Sequence, residues 1–312
     1  MMRQRIKSFN LDNGRPKVLL VGNGLIYGSS VPWMKLIQSV SRDGVDISRY
    51  TMTEGNDRVA FLVPNTVLTL ATSITDDKER HEKYVDVLKE NSYPANDNID
   101  RLMRMPFDAV LTTNYTYELE ASLNPKYPSL KPERKREFAA ITGNMGDPKY
   151  LLHMFNLVRP EGPDIWHIHG ELRRPSSIIL SHDEYARFTH KILEHNTEQG
   201  NAYYKYKQDL KLKSWVDYFV VGDVYVLGLS FDYAEFDLWW LLGRRLREKT
   251  GQGEFVFYEP LSAKNHTKQQ ALSDSGVFVE TCNVNIDSGG TYDEFYKAAI
   301  EDIENRMNRI HN

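Results

Sequence analysis

An α/β fold with a Rossmann-like, mostly parallel sheet follows from three features of the chain. Short apolar runs rich in β-branched residues recur along it. Helical patterns lie between them. Glycine or small polar residues stand where the apolar runs stop. The runs 17-KVLLVG-22, 108-DAVLTT-113, 165-IWHIHG-170, 177-SIILS-181, 224-VYVLGLS-230 and 254-EFVFYEP-260 read as buried strands, with 276-GVFVETC-282 as a seventh candidate. Most lack polar alternation, as expected of strands covered on both faces by helices.

The helical elements follow from periodicity. In 233-YAEFDLWWLLGRRLREK-249, Phe236, Trp239, Trp240, Gly243 and Leu246 recur at three- and four-residue steps. Asp232 and Glu235 resemble a capping box, and Arg244, Arg245, Arg247 and Lys249 suit the negative end of the helix dipole. Trp239 and Trp240 are expected to pack within the fold, an interface being the alternative. The closing helix is predicted at about 291–310. Helices are also predicted at 31–40, 58–74 and 78–90. Chain segments this long exceed what a single crossover needs. We therefore expect one domain over 1–312 whose helical insertions, at about 31–105, 120–163 and 183–222, form a cap subdomain over the sheet. The polar segment 128–137 reads as a solvated loop, a partner site being the alternative.

Composition narrows the function. Of 312 residues, 41% are apolar and 26% charged, and the net charge of -4 argues against direct nucleic-acid binding. No apolar run approaches the roughly 20 residues that span a membrane. The start, MMRQRIKSFN, lacks the apolar core of a secretory signal. The only cysteine, Cys282, rules out an internal disulfide and a zinc ribbon of several thiolates, and reads as a core residue. A cytoplasmic location is expected.

Four places carry candidate chemistry, each at the predicted carboxyl end of a strand. Gly22-Asn23-Gly24, with Gly28 beyond, stands where backbone approaches a pyrophosphate in a doubly wound sheet; a tight strand-to-helix turn without a ligand is the lesser alternative. Thr112-Thr113-Asn114 ends another strand. The Asn114 amide suits a ribose hydroxyl or a water, and a helix cap is the alternative. In 166-WHIHGEL-172, His169 beside Gly170 is a candidate general base, or a structural histidine; His167 and His169 alone do not make a metal site. Gly228 and Ser230 form either a second nucleotide loop or a capped turn.

Taken in order, these residues resemble the sirtuin-like family. Its Gly-Ala-Gly-Ile-Ser…Gly-Ile-Pro loop is matched by Gly22-Asn23-Gly24-Leu25-Ile26…Ser30-Val31-Pro32. Its Thr-Gln-Asn is matched by Thr112-Thr113-Asn114, its His-Gly by His169-Gly170, and its Gly-Thr-Ser by Gly228-Leu229-Ser230. Two positions depart. The family's Asp-Phe-Arg is Trp33-Met34-Lys35, and the aspartate that holds the nicotinamide amide is Thr116. Without a zinc ribbon, the chain looks like the bacterial sirtuin-like NAD hydrolases of anti-phage defence.

That resemblance implies NAD as substrate, no metal, and cleavage to nicotinamide and ADP-ribose. It implies Asn114 and His169 as catalytic residues. Contacts to NAD are implied from Gly22, Asn23, Gly24, Pro32, Thr112, Thr113, Thr116, Gly228 and Ser230. The alternatives are NAD-dependent protein deacylation or ADP-ribosyl transfer, and a non-catalytic module that senses NAD or ADP-ribose. Control is expected through a homo-oligomer or a separate activating or regulatory protein.

Overall fold

The computed structural model describes residues 7–26, 36, 38–39, 41, 74, 76–89, 94, 96–129, 149–199, 202–231, 235–249, 253–262 and 266–309. In chain order its elements are β1 (Ser8–Phe9), β2 (Lys17–Val21), a 3-10 turn at Asn23–Ile26, α1 (Asp77–Leu88), α2 (Asp97–Leu102), β3 (Ala109–Thr112) and α3 (Glu118–Leu123). Then follow α4 (Lys149–His153), β4 (Asp164–His167), α5 (His182–Gln199), α6 (Ala202–Lys205), β5 (Leu210–Lys211), α7 (Trp215–Val221) and β6 (Asp223–Leu227). The last are α8 (Phe236–Arg245), β7 (Phe255–Leu261), α9 (His266–Asp274), β8 (Phe278–Asn285) and α10 (Tyr292–Arg309).

Six strands form one parallel sheet in the order β4-β3-β2-β6-β7-β8, while β1 and β5 make a separate antiparallel pair. The chain enters at the centre, moves outward to β4, returns, and moves outward the other way to β8. The direction reverses between β2 and β6, so the crevice of this doubly wound sheet opens at their carboxyl ends.

Successive strand residues point to opposite faces. Val18, Leu20, Leu111, Val224 and Val226 enter one apolar cluster with Phe188 of α5, Trp215 and Phe219 of α7 and Leu241 of α8. Leu19, Val21, Val110, Tyr225 and Leu227 enter the other, with Leu102 of α2 and Phe295, Ile300 and Ile303 of α10. Cover on both faces is why the strands show no polar alternation. Burying each such side chain contributes about 1.5–3 kcal/mol.

Several expectations are corrected. The segment 177–181 is not a strand: Pro175–Ser177 is a 3-10 turn, and 178–181 pair with no strand among the described residues. Its backbone bonds go elsewhere, Ile179 donating to the His169 carbonyl at 2.8 Å and its own carbonyl accepting the Tyr115 hydroxyl at 2.8 Å. The run is apolar because it is buried, not because it is extended in a sheet. Helix α8 starts at Phe236, with Glu235 at the N-cap but making no side-chain cap bond; Asp232 lies outside the described residues. Arg245 stands in the last turn of α8 with Arg244, as expected. It is buried and donates to the Phe219 and Val220 carbonyls at the end of α7 (2.7 and 3.2 Å) and to those of Gly253 and Glu254. Trp239 and Trp240 are partly buried against the core.

The predicted helix at 78–90 corresponds to α1. Of 31–40 only positions 36, 38 and 39 are described, and they are helical; 58–74 lies outside the described residues except for Ile74, which is not. Of 128–137, positions 128 and 129 end a 3-10 turn at Tyr127–Ser129, and 130–137 lie outside the described residues. Cys282 is buried. Burial, with Glu280 and Asp302 nearby, pushes its thiol up to about 11, which keeps it from acting as a thiolate.

Candidate active site

The two glycine loops at the point of reversal are built on each other. Gly22 donates to the Leu227 carbonyl at 3.1 Å and Gly24 to the Gly228 carbonyl at 2.7 Å. A Cβ on Gly22 would stand 2.5 Å from the Gly228 oxygen. Gly228 takes φ +69°, and its own Cβ would stand 2.6 Å from the Leu25 nitrogen. The glycines are thus required first by the contact between the loops, a reason that spacing along the chain does not reveal. Asn23 and Gly24 remain half-exposed at the crevice. Gly28 and the predicted NAD contact Pro32 lie outside the described residues, as do Ser30 and Val31.

Ser230 is exposed, and its carbonyl accepts Lys268 at 3.0 Å. The next residue, Phe231, is fully buried at φ +50°, with its ring against Trp239 and Phe257 at 5.3 and 5.9 Å. A bulky side chain in this backbone region costs on the order of 1–3 kcal/mol and is held there by its packing.

On the other side of β2, strands β3 and β4 run side by side with Thr112 opposite His167. Asn114 and His169 each follow two residues later, at neighbouring strand ends. Thr112 is fully buried and its hydroxyl accepts the Asn114 N–H at 3.1 Å, while the half-buried Thr113 donates to the Val21 carbonyl at 3.2 Å. The Asn114 side chain caps no helix among the described residues; the N-cap of α3 is Tyr117. It is 6% exposed, and its Nδ2 has no hydrogen-bond partner among the described residues. A buried amide left so costs free energy until something accepts from it.

Gly170, at φ +101°, makes the turn after β4; a Cβ there would meet the Ser177 carbonyl at 2.3 Å. The turn sends His169 inward to 2% exposure. Its Nε2 lies 3.0 Å from Asp237 Oδ2, and its Nδ1 lies 3.3 Å from the Tyr185 hydroxyl and 3.7 Å from Glu235 Oε2. Burial disfavours a charged ring, but the charge and hydrogen bond of Asp237, then Glu235, outweigh it and raise the pKa of His169. The Tyr185 hydroxyl also lies 3.4 Å from Glu235 Oε2, to which it donates when Nδ1 carries a hydrogen; when it turns that hydrogen to Nδ1 instead, a neutral ring is satisfied, with Nε2–H donating to Asp237. In that form Nδ1 is the proton-accepting atom. Ligand-capable atoms of His169, Glu235 and Asp237 lie within 4.8 Å of one another. Asp237 lies beside Nε2 and Glu235 beside Nδ1, so carboxylates stand at both ring nitrogens.

Thr116, which stands where the family places an acid, is buried and donates to Glu118 Oε2 at 2.7 Å. Burial pushes Glu118 up to about 7, and its Oε1 has no partner among the described residues. The carboxyl that meets the side chain of position 116 is thus that of Glu118, two residues later. Sequence reasoning overlooked Glu118, Glu235, Asp237 and Tyr185. A signal for Asp237 existed: it lies four residues before Leu241, on the core-facing stripe of α8.

A parallel sheet with this strand order, glycine loops at the reversal, and an amide and a histidine on the two adjoining strand ends define a Rossmann-like α/β domain with its candidate site in the crevice. A family model for the SIR2-like domain matches residues 108–279, more than half of the chain, and the chain belongs to that family. The match begins at the residue before β3, so β2 and Gly22–Gly24 precede it. The family uses NAD, which gives the chain an NAD-dependent activity in general terms. No curated protein matches the chain. No described helix is long and apolar enough to cross a membrane.

Proposed function

We propose that the chain is an NAD hydrolase that cleaves the nicotinamide glycosidic bond, depleting NAD in bacterial anti-phage defence. One observation carries this reading. A buried amide, Asn114, whose Nδ2 has no partner among the described residues, and a histidine, His169, with a nitrogen able to accept a proton, sit on adjacent strand ends beside the glycine loops.

Asn114 holds a ribose hydroxyl or the attacking water in place. His169 accepts the proton that the water, directly or through a ribose hydroxyl, gives up at Nδ1, and Asp237 keeps the ring oriented and stabilises its charge. Water oxygen bonds to the ribose carbon as the bond to nicotinamide breaks. The leaving group starts cationic and departs neutral, so it needs no acid. The carboxylates beside His169 favour the positive charge that develops on the ribose. Gly22, Asn23, Gly24, Pro32 and Gly228 serve the pyrophosphate, Ser230 the adenosine side, Thr112 and Thr113 the shape of the Asn114 turn, and Thr116 with Glu118 the nicotinamide amide.

The protein works without a metal, in the cytoplasm, as a single domain capped by its helical insertions. It is controlled by homo-oligomerisation or by a separate protein.

Incubation with NAD, followed by chromatography, tests the reading. Wild type releases nicotinamide and free ADP-ribose, and Asn114→Ala and His169→Ala each abolish release with unchanged circular dichroism. ADP-ribose attached to protein would assign a transferase instead, and thermal stabilisation by NAD without turnover, with candidate partners present, would assign a sensor.

A further inference from the structure

His167 differs from His169, which has the Tyr185 hydroxyl at Nδ1: the two groups bonded to its ring nitrogens are a carbonyl and a carboxylate. Nδ1 lies 2.6 Å from the main-chain carbonyl of Asn114, and Nε2 lies 2.8 Å from Glu120 Oε1. A carbonyl cannot donate. Glu120 Oε1 also accepts from Asn156 Nδ2 at 2.8 Å, the pattern of an ionised carboxylate. Each ring nitrogen must therefore carry a hydrogen, which makes the ring an imidazolium. His167 and Glu120 are 6% and 0% exposed, so neither is exchanged for water. The ring also packs edge-on against Tyr117, with centroids 5.5 Å apart.

We propose that His167 is a positioning residue. Clamped between Glu120 and the Asn114 carbonyl, it fixes the backbone of Asn114 so that the Asn114 amide stays free for the ligand. This rests on the reading of Asn114 as the ligand-holding residue. The chain of support runs from α3, through Glu120 and His167, to the end of β3. The other charged groups around the ring are Glu171, which bonds Asn156 at 3.2 Å and pairs with Arg174, and Glu118. A cavity of about 10 Å³, the size of one water, lies among Asn156, His167 and Glu171. Burial opposes the imidazolium, but the charge and hydrogen bond of Glu120, then Glu171 and the Asn114 carbonyl, raise His167 to about 9.

The test measures nicotinamide release against pH in wild type, Glu120→Gln, His167→Gln and His167→Ala, with the histidine rings and the Asn114 side-chain amide followed by NMR. In wild type the ring stays protonated on both nitrogens past pH 8, and activity falls on the alkaline side near pH 9. Glu120→Gln moves that fall toward neutral pH by on the order of one pH unit or more. His167→Ala lowers kcat about tenfold or more while KM for NAD stays near wild type. His167→Gln, which keeps a donor without the charge, recovers part of kcat and lacks the alkaline fall. A profile unmoved by Glu120→Gln, or a ring that titrates near its ordinary value, overturns the proposal. If wild type releases no nicotinamide, the hydrolase reading fails, and NMR decides this inference alone. An Asn114 amide resonance that follows the His167 titration upholds it, and one that ignores it overturns it.

Discussion

A buried histidine becomes a base or a fixed cation according to what its two nitrogens meet. His169 meets the Asp237 carboxylate at Nε2 and, at Nδ1, the Tyr185 hydroxyl with Glu235 beyond it, and can give up its proton while remaining hydrogen-bonded once that hydroxyl turns its hydrogen from Glu235 to Nδ1. His167, two residues earlier, meets a carbonyl and a carboxylate, and cannot. Asp237 is fully buried, and its second oxygen has no partner among the described residues, so its side chain is committed to His169. Asp237→Asn removes the charge and admits the wrong ring tautomer. Nicotinamide release should fall by roughly 10²–10⁴-fold with NAD affinity little changed, as steady-state kinetics would measure. In the sequence, Asn114 and His169 were legible because each closes an apolar run. Asp237, Glu235 and Tyr185 were not, because they reach the site from α5 and the start of α8, far away in the chain.

At the scale of elements, the loops after β2 and β6 behave as one unit. Gly228→Ala would force a left-handed φ on alanine and drive its Cβ to 2.6 Å from the Leu25 backbone nitrogen. We expect a loss of about 1–3 kcal/mol in chemical denaturation, comparable to other overpacking changes. Helix α7 shows the same interdependence. Its start is closed locally by the capping box of Ser214 and Asp217, but its end is closed by Arg245 of α8. Strands were read from composition wherever burial and pairing coincide. At 177–181 burial comes without pairing, and apolarity alone cannot tell the two apart.

For the molecule as a whole, buried charge sets the response to pH. Glu118, raised to about 7 by burial, contributes stability that is fully present below about 4.5 and lost as pH rises through about 7. His167, raised to about 9 despite burial, contributes stability that is present below about 6.5 and lost as pH rises through about 9. Glu184 behaves oppositely. Burial works against its ionisation, but the hydrogen bonds of His81 and of the Ser181 and Leu180 N–H groups hold it down at about 2, so its contribution is present above about 4.5 and lost below. Melting temperature should therefore decline between pH 6.5 and 9, and differential scanning calorimetry of His167→Gln should show a shallower decline. A wild-type melting temperature that is flat across that range would contradict the charge assigned to His167.

By itself the sequence determined the parallel α/β class, the strand ends that carry Gly22–Gly24, Asn114, His169 and Ser230, and the likeness to an NAD-using family. These are local properties, since periodicity and the residue that ends a run are written in consecutive positions. Only the tertiary structure decided that β2 and β6 adjoin at the reversal, that Gly22 and Gly228 exclude each other's Cβ atoms, and that Asp237 faces His169 while Glu120 faces His167. The physical reason is that proton occupancy and steric exclusion depend on atoms within a few ångströms in space. Here those atoms come from residues separated by 47 positions for Glu120 and His167, 68 for His169 and Asp237, and some two hundred for the glycine loops.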